Sequence, residues 1–192
     1  MITAIVLAAG QSRRMGQNKL LLPFGSSTVI GTIVGELSAC PDVRDIVIVT
    51  GYEAERLAAH LRDQPVRYVF NPAYAQSDML VSIQSGLRAL PSTVEAALIV
   101  LGDQPRLKRE IVQRVVEAAG PERLIVPSYQ LRRGHPILIP RSLWASILAL
   151  PPHATLREVI RANADRIHYV NVDDDSVLRD IDTPDDYQAA LR

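Results

Sequence analysis

A chain of 192 residues, 47% of them hydrophobic, can bury one substantial core, and at about 150 residues per domain it is expected to form a single domain over residues 1–192. Its 21 Lys and Arg balance 21 Asp and Glu, which excludes bulk attraction to nucleic acid or an anionic membrane, so any polyanion site must be local. The lone Cys40 excludes a disulfide framework, and the opening MITAIVLAAG has neither a positive n-region nor the roughly 18 apolar residues of a membrane span, so a soluble cytoplasmic protein is expected.

In chain order, an apolar run over residues 2–7 reads as a buried strand, followed by the loop AAGQSRRMGQNK. Val29, Ile30, Ile33, Val34 and Leu37 then have helical spacing, with Cys40 as a buried bystander at its end. Strands are expected at residues 46–49, 66–70 and 96–101. They alternate with helical patterns at Leu57, Ala58 and Leu61, at Met79, Ile83, Gly86, Leu87 and Leu90, and at Ile111, Val112, Val115, Val116 and Ala119. Beyond these come strands at 124–126 and 137–139 around the basic turn QLRRGHP, helices near 142–150 and 155–163, a strand at 167–172, and a terminal helix after a polar run. The alternation predicts an α/β fold: a mainly parallel sheet with helices on both faces, which binds ligands at the carboxyl ends of its strands.

Three constellations belong to that rim. In the first loop, small Ala8, Ala9 and Gly10 let backbone N–H groups approach a ligand on which Arg13, Arg14 and Lys19 can converge, a phosphate-binding design. It is not a nucleoside-triphosphatase loop, because Gly10 and Gly16 are one residue too far apart, and it lacks the Gly-x-Gly of a dinucleotide turn. In LIVLGDQPRL, residues 98–107, a strand ends at Gly102 and Asp103, and Pro105 stops it continuing. A carboxylate there can begin a magnesium site for a triphosphate, or simply cap the next helix.

In LRDIDTPDDY, residues 178–187, Thr183 and Pro184 start a helix and Asp185 and Asp186 read as structural acids of its first turn. Asp180 and Asp182 alternate with Ile181, which turns both carboxylates away from the side Ile181 buries. His60 and His153 read as surface residues, His168 as structural and Trp144 as core. His135, between Gly134 and Pro136 and beside Arg132 and Arg133, suits an anion contact.

LAAGQSRRMGQNKLLLP, residues 7–23, resembles the signature LAAGxSxRMGxxKxLLP of nucleotidyltransferases that activate a phosphorylated compound, and LGDQP and DIDTPDDY resemble that superfamily's metal motifs in order. More narrowly, VTGYEAERL, NPAYAQSDMLVSIQSGL, LGDQP and RRGHPILI together resemble the molybdenum cofactor cytidylyltransferases of the MobA-like NTP transferase family, over nearly the whole chain.

The resemblance implies a Rossmann-like three-layer sandwich of the glycosyltransferase-A-like nucleotidyltransferase type. It implies magnesium-dependent transfer of CMP from CTP to the terminal phosphate of molybdopterin, with a molybdoenzyme or its maturation chaperone receiving the product. By the same resemblance Leu7, Ala8, Ala9, Gly10, Ser12, Arg14 and Lys19 hold the nucleotide, with Arg14 and Lys19 on its phosphates. Asn71, Ser82 and Gly102 line its pocket. Asp103 and Asp182 take the metal, with Asp180 as the alternate to Asp182, while Gln104, Gly134 and His135 lie on the acceptor side. Ala9-Gly10, in place of the Gly-Gly of guanylyl-transferring relatives, favours a pyrimidine. The chain departs from the relatives' NPxWxxGM in reading NPAYAQSDM, with Tyr74 for tryptophan and Ser77-Asp78 for the glycine, in a segment expected near the acceptor. Two other readings share these residues: a nucleotidyltransferase of sugar or polyol phosphates, and a non-catalytic nucleotide- or cofactor-binding module.

Overall fold

In β1, Ile2–Ala8, alternate side chains leave in opposite directions and both directions end in core. Ala4, Val6 and Ala8 join one apolar cluster and Ile5 the other, all between 0% and 2% exposed, which is why the strand has no polar face. The computed structural model describes residues 1–76 and 79–192.

After β1 come a small hairpin, β2 (Pro23–Phe24) and β3 (Ser27–Thr28), then α1 (Val29–Ser38), β4 (Val43–Thr50), α2 (Ala54–His60) and β5 (Arg67–Phe70). They are followed by α3 (Met79–Arg88), β6 (Ala96–Leu101), α4 (Arg109–Glu117), β7 (Leu124–Tyr129), β8 (Arg132–Arg133) and β9 (Ile137–Pro140). The chain closes with α5 (Trp144–Leu148), α6 (Leu156–Ala162), β10 (Ile167–Asn171) and α7 (Pro184–Ala190).

The main sheet runs β10-β7-β9-β6-β1-β4-β5, with β8 hairpinned onto β7. β1 pairs in parallel with β4 on one side and β6 on the other, Ala8 opposite Thr50 and Leu7 opposite Leu101. β9 is antiparallel to both β6 and β7, so the sheet is mixed and mostly parallel. Residues of α1, α2 and α4 pack in the first cluster and those of α3, α5 and α6 in the second, giving three layers.

The expected strands all form. β4 begins at Val43, ahead of its apolar run, because Asp45 continues the ladder opposite Thr3. The helical pattern near 142–150 resolves into a 3-10 turn, Arg141–Leu143, and the short α5. Trp144 is core, its Nε1 donating to the Ile139 carbonyl at 3.2 Å, and Cys40 is buried. His60 is exposed, yet its Nε2 lies 2.9 Å from Oγ1 of Thr28, the N-cap of α1. His168 stands exposed on the edge strand β10. No helix among the described residues is long and apolar enough to cross a membrane.

Candidate active site

The chain leaves β1 toward β4 and β5 on one side and crosses back through α3 to β6 on the other, which opens a crevice beyond the carboxyl end of β1. Ala8 is buried there, the Ala9 carbonyl accepts Tyr52 N–H at 3.3 Å, and Gly10 is exposed, with open space among the described residues where a Cβ would stand. Ser12 then takes a left-handed φ of 50°, a 3-10 turn covers Arg13–Met15, and Gly16 at φ 69° reverses the chain. Asn18 caps a second turn, Lys19–Leu21, by accepting Leu20 N–H at 3.1 Å, while Ser12 Oγ accepts Lys19 N–H at 3.2 Å. The loop folds back on itself and holds the Lys19 side chain inward, only 12% exposed.

Lys19 Nζ stands 2.6 Å from Asp103 Oδ2 and 2.9 Å from Asp182 Oδ1, and Arg14 Nη2 lies 2.9 Å from Asp182 Oδ2. Three distant segments therefore meet at one ammonium. Gly102, just before Asp103, donates its N–H to the Leu7 carbonyl at 3.0 Å; a Cβ there would sit 2.7 Å from that oxygen, so only glycine fits. Ile181 N–H donates to the Asp103 carbonyl at 2.9 Å, tying the two carboxylate loops together. Asp186 Oδ2 accepts the backbone N–H of Asp182 at 3.1 Å and that of Thr183 at 2.8 Å, and Thr183 Oγ1 accepts Asp186 N–H at 3.2 Å. This capping box fixes the backbone that carries Asp182.

Burial alone would lower Lys19, but the Asp103 and Asp182 carboxylates outweigh it and raise it above the ordinary lysine value. Asp182 is pushed up by burial but held lower overall by its bonds and charges with Lys19 and Arg14. Asp180 is raised by burial and by the neighbouring Asp103 charge, and makes no ion pair among the described residues.

Leu7, Ala9, Gly10, Ser82, Asp103, Asp180 and Asp182 line one cavity of about 330 Å³, together with Tyr74, Met79 and Leu101. Asp180 and Asp182 share it, as their alternation around the buried Ile181 predicts. Asn71 is buried behind it and donates to Ser82 Oγ at 3.0 Å. Asp103 Oδ1 is buried and has no hydrogen-bond partner among the described residues. Hard carboxylate oxygens, one of them orphaned and two drawn onto a single ammonium, suit a divalent cation such as magnesium or manganese. Among the described residues no three His, Cys, Asp or Glu side chains gather as a metal cluster, so such an ion would depend on ligand oxygens as well.

The MobA-like NTP transferase domain matches residues 4–167. The chain belongs to that family. A protein of Escherichia coli (strain K12) named molybdenum cofactor cytidylyltransferase is 31% identical over 98% of this chain and 95% of its own length. The nicotine blue oxidoreductase of Paenarthrobacter nicotinovorans is 29% identical over 95% and 92%. Among solved structures, Rv0371c of Mycobacterium tuberculosis superposes with a TM-score of 0.87 at 24% identity, covering 99% of this chain and 97% of its own, and its complex with manganese has a TM-score of 0.83 at 23% identity, with the same two coverages. The names of the two sequence relatives describe different reactions.

Two of the residues expected on the acceptor side, Gly134 and His135, lie apart from the crevice at the carboxyl end of β1. They line a second cavity of about 600 Å³. Gly134 packs so closely on Val177 that a Cβ would stand 2.4 Å from its carbonyl oxygen, and His135 N–H donates to that same oxygen at 3.0 Å. Burial lowers His135 to about 4, with Asp180 opposing, so its imidazole is neutral at pH 7 and offers an anion no charge. Gln104 is buried and turns inward, its Nε2 3.4 Å from the Val177 carbonyl. The Ser77-Asp78 departure lies outside the described residues. Sequence reasoning passed over Asp186 as a support for Asp182, although the Thr-x-x-Asp spacing of a capping box announces it.

Proposed function

We propose that this MobA-like transferase joins CMP from CTP to the terminal phosphate of molybdopterin and releases pyrophosphate, acting as one cytoplasmic domain over residues 1–192. A phosphate oxygen of the acceptor attacks the α-phosphorus; the new P–O bond forms as the bond to the β-phosphate oxygen breaks and pyrophosphate carries the charge away. The attacking phosphate is already ionised, so no protein nucleophile is needed and the protein's work is positioning and charge neutralisation.

In this reading the small Ala8, Ala9 and Gly10 admit the nucleotide, and Ser12 holds the loop against the Lys19 turn. Arg14 and Lys19 exchange carboxylate partners for phosphate oxygens when CTP enters. Asp103 and Asp182, with Asp180 as the alternate, would hold magnesium, which when bound polarises the α-phosphate and offsets charge on the leaving pyrophosphate. The manganese complex of Rv0371c supports a divalent ion on this fold.

The observation that carries the reading is the Lys19 ammonium resting on Asp103 and Asp182 at once, beside the Ala8–Gly10 loop. The acceptor rests on the E. coli relative and on RRGHPILI. A molybdoenzyme or its maturation chaperone would take the product. Mass spectrometry of a reaction with CTP, magnesium and molybdopterin is expected to show the CMP adduct; turnover of a sugar phosphate with none of molybdopterin contradicts the choice of acceptor, and tight nucleotide binding indifferent to magnesium and without product would mark a binding module.

A further inference from the structure

The second cavity combines an apolar floor with a cationic rim. Leu80 and Ile83 of α3, Val126 of β7, Ile137 of β9 and Ile160 of α6 form the floor. Arg133, Arg157 and Arg161 line the rim, and no carboxylate among the described residues does. Arg157 and Arg161 are spaced i,i+4 on α6, a like-charge arrangement that costs helix stability, and neither has an ion-pair partner among the described residues. Two unneutralised guanidinium groups on one face suit an anion.

Leu131 adds a second, independent sign. It lines the cavity from the tip of the β7–β8 hairpin, 95% exposed and at φ 65°, directly after Gln130 at φ 48°. Such a turn is the usual place for Asn-Gly, and a leucine there bears both left-handed strain and a fully hydrated side chain. Strain of this kind persists where a ligand uses it.

We infer that this cavity is a second ligand subsite, taking an amphiphilic anion whose apolar or heteroaromatic body lies on the Leu80–Ile160 floor beneath Leu131 and whose anionic group lies between Arg157 and Arg161. Met79 lines both cavities, so one molecule can extend from this floor to the rim above Asp103. Only the identity of that molecule as the phosphate acceptor rests on the proposed transfer reaction.

The test uses the full chain and the fluorescent probe 8-anilinonaphthalene-1-sulfonate, an aromatic body with one anionic group. The wild type is expected to bind it saturably at one site. R157A/R161A is expected to weaken it about tenfold, R157K/R161K to recover most of that loss, and magnesium–CTP binding to stay unchanged in both. Leu131→Gly is expected to weaken the probe while leaving Tm equal or higher, because glycine accepts the left-handed φ; a residue of merely structural value would not move the two readouts apart. Probe affinity unchanged in both R157A/R161A and Leu131→Gly overturns the subsite. Displacement of the probe by molybdopterin supports its role as the acceptor's site; the expected variant pattern with neither displacement nor transfer leaves the subsite standing and removes the proposed acceptor.

Discussion

Lys19 Nζ stands 2.6 Å from Asp103 Oδ2, across 84 residues of sequence and on a side chain only 12% exposed. In the proposed site an ammonium in that position would compete with a divalent ion for the same carboxylates. Lys19→Ala is therefore expected to bind manganese more tightly in the absence of nucleotide, yet to transfer nucleotide on the order of 10² times more slowly, since charge on the leaving phosphates loses a partner. A manganese titration and a turnover assay on the same preparation check both halves.

Asp103 holds a buried oxygen without a hydrogen-bond partner among the described residues, so its carboxylate is expected to matter for turnover far more than for folding. Asp103→Ala should lose activity by orders of magnitude while keeping the wild-type circular dichroism. Asp182→Asn should follow it and Asp180→Asn should lose less; the reverse ranking would move the proposed second metal ligand to Asp180.

Gly102 lies under the same loop, its N–H bonded to the Leu7 carbonyl. A Cβ would stand 2.7 Å from the Leu7 carbonyl and 3.3 Å from Ile30 Cδ1, so Gly102→Ala must shift β1 or α1. A destabilisation of about 1–3 kcal/mol in urea unfolding is expected.

Asp186 tests positioning. Its carboxylate accepts from the backbone of Asp182 and Thr183 and closes the N-terminal cap of α7. Asp186→Ala is expected to cost about 1 kcal/mol, the usual worth of a cap, and to lower turnover through a looser Asp182. Raised magnesium should recover part of that turnover, which a purely structural loss would not allow.

Acid stability should report on Asp174, whose carboxyl is held at about 2 by its bonds to Lys108 and to Ser176, next to the turn that carries Val177. Its folded value lies below the ordinary aspartate value of 3.8, so the stabilisation is complete above that pH and is lost as pH falls toward 2. Asp174→Asn is expected to lower the urea midpoint at pH 7 and pH 5, with the gap to wild type closing between pH 4 and pH 2.

The sheet was legible wherever a strand is covered on both faces, because burial writes an unbroken apolar run such as residues 96–101. β2, β3 and β8 have two residues each, too few to show a period, and the antiparallel insertion of β9 leaves no mark in its own residues. At the site, motif spacing placed Ala9, Gly10, Asp103, Asp180 and Asp182 on one rim because each follows or faces a strand's carboxyl end. It could not show that Lys19 bonds Asp103 and Asp182 directly, since that depends on the left-handed Ser12 folding the loop inward. Gln104 turns toward Val177 because its amide finds a carbonyl there, and His135 stays neutral because the same wall desolvates it. Arg157, Arg161 and Leu131 are ordinary letters in sequence; only the folded chain, which brings α6 and the β7–β8 hairpin to the rim of one cavity, sets them together.

The most direct test of nucleotidyl transfer is magnesium-dependent pyrophosphate release from each of CTP, GTP, ATP and UTP, with and without purified molybdopterin. Release from CTP that requires both molybdopterin and magnesium, and that disappears in Asp103→Ala, is the expected result. No release from any of the four triphosphates in the presence of molybdopterin, or release from CTP that persists in Asp103→Ala, would contradict it.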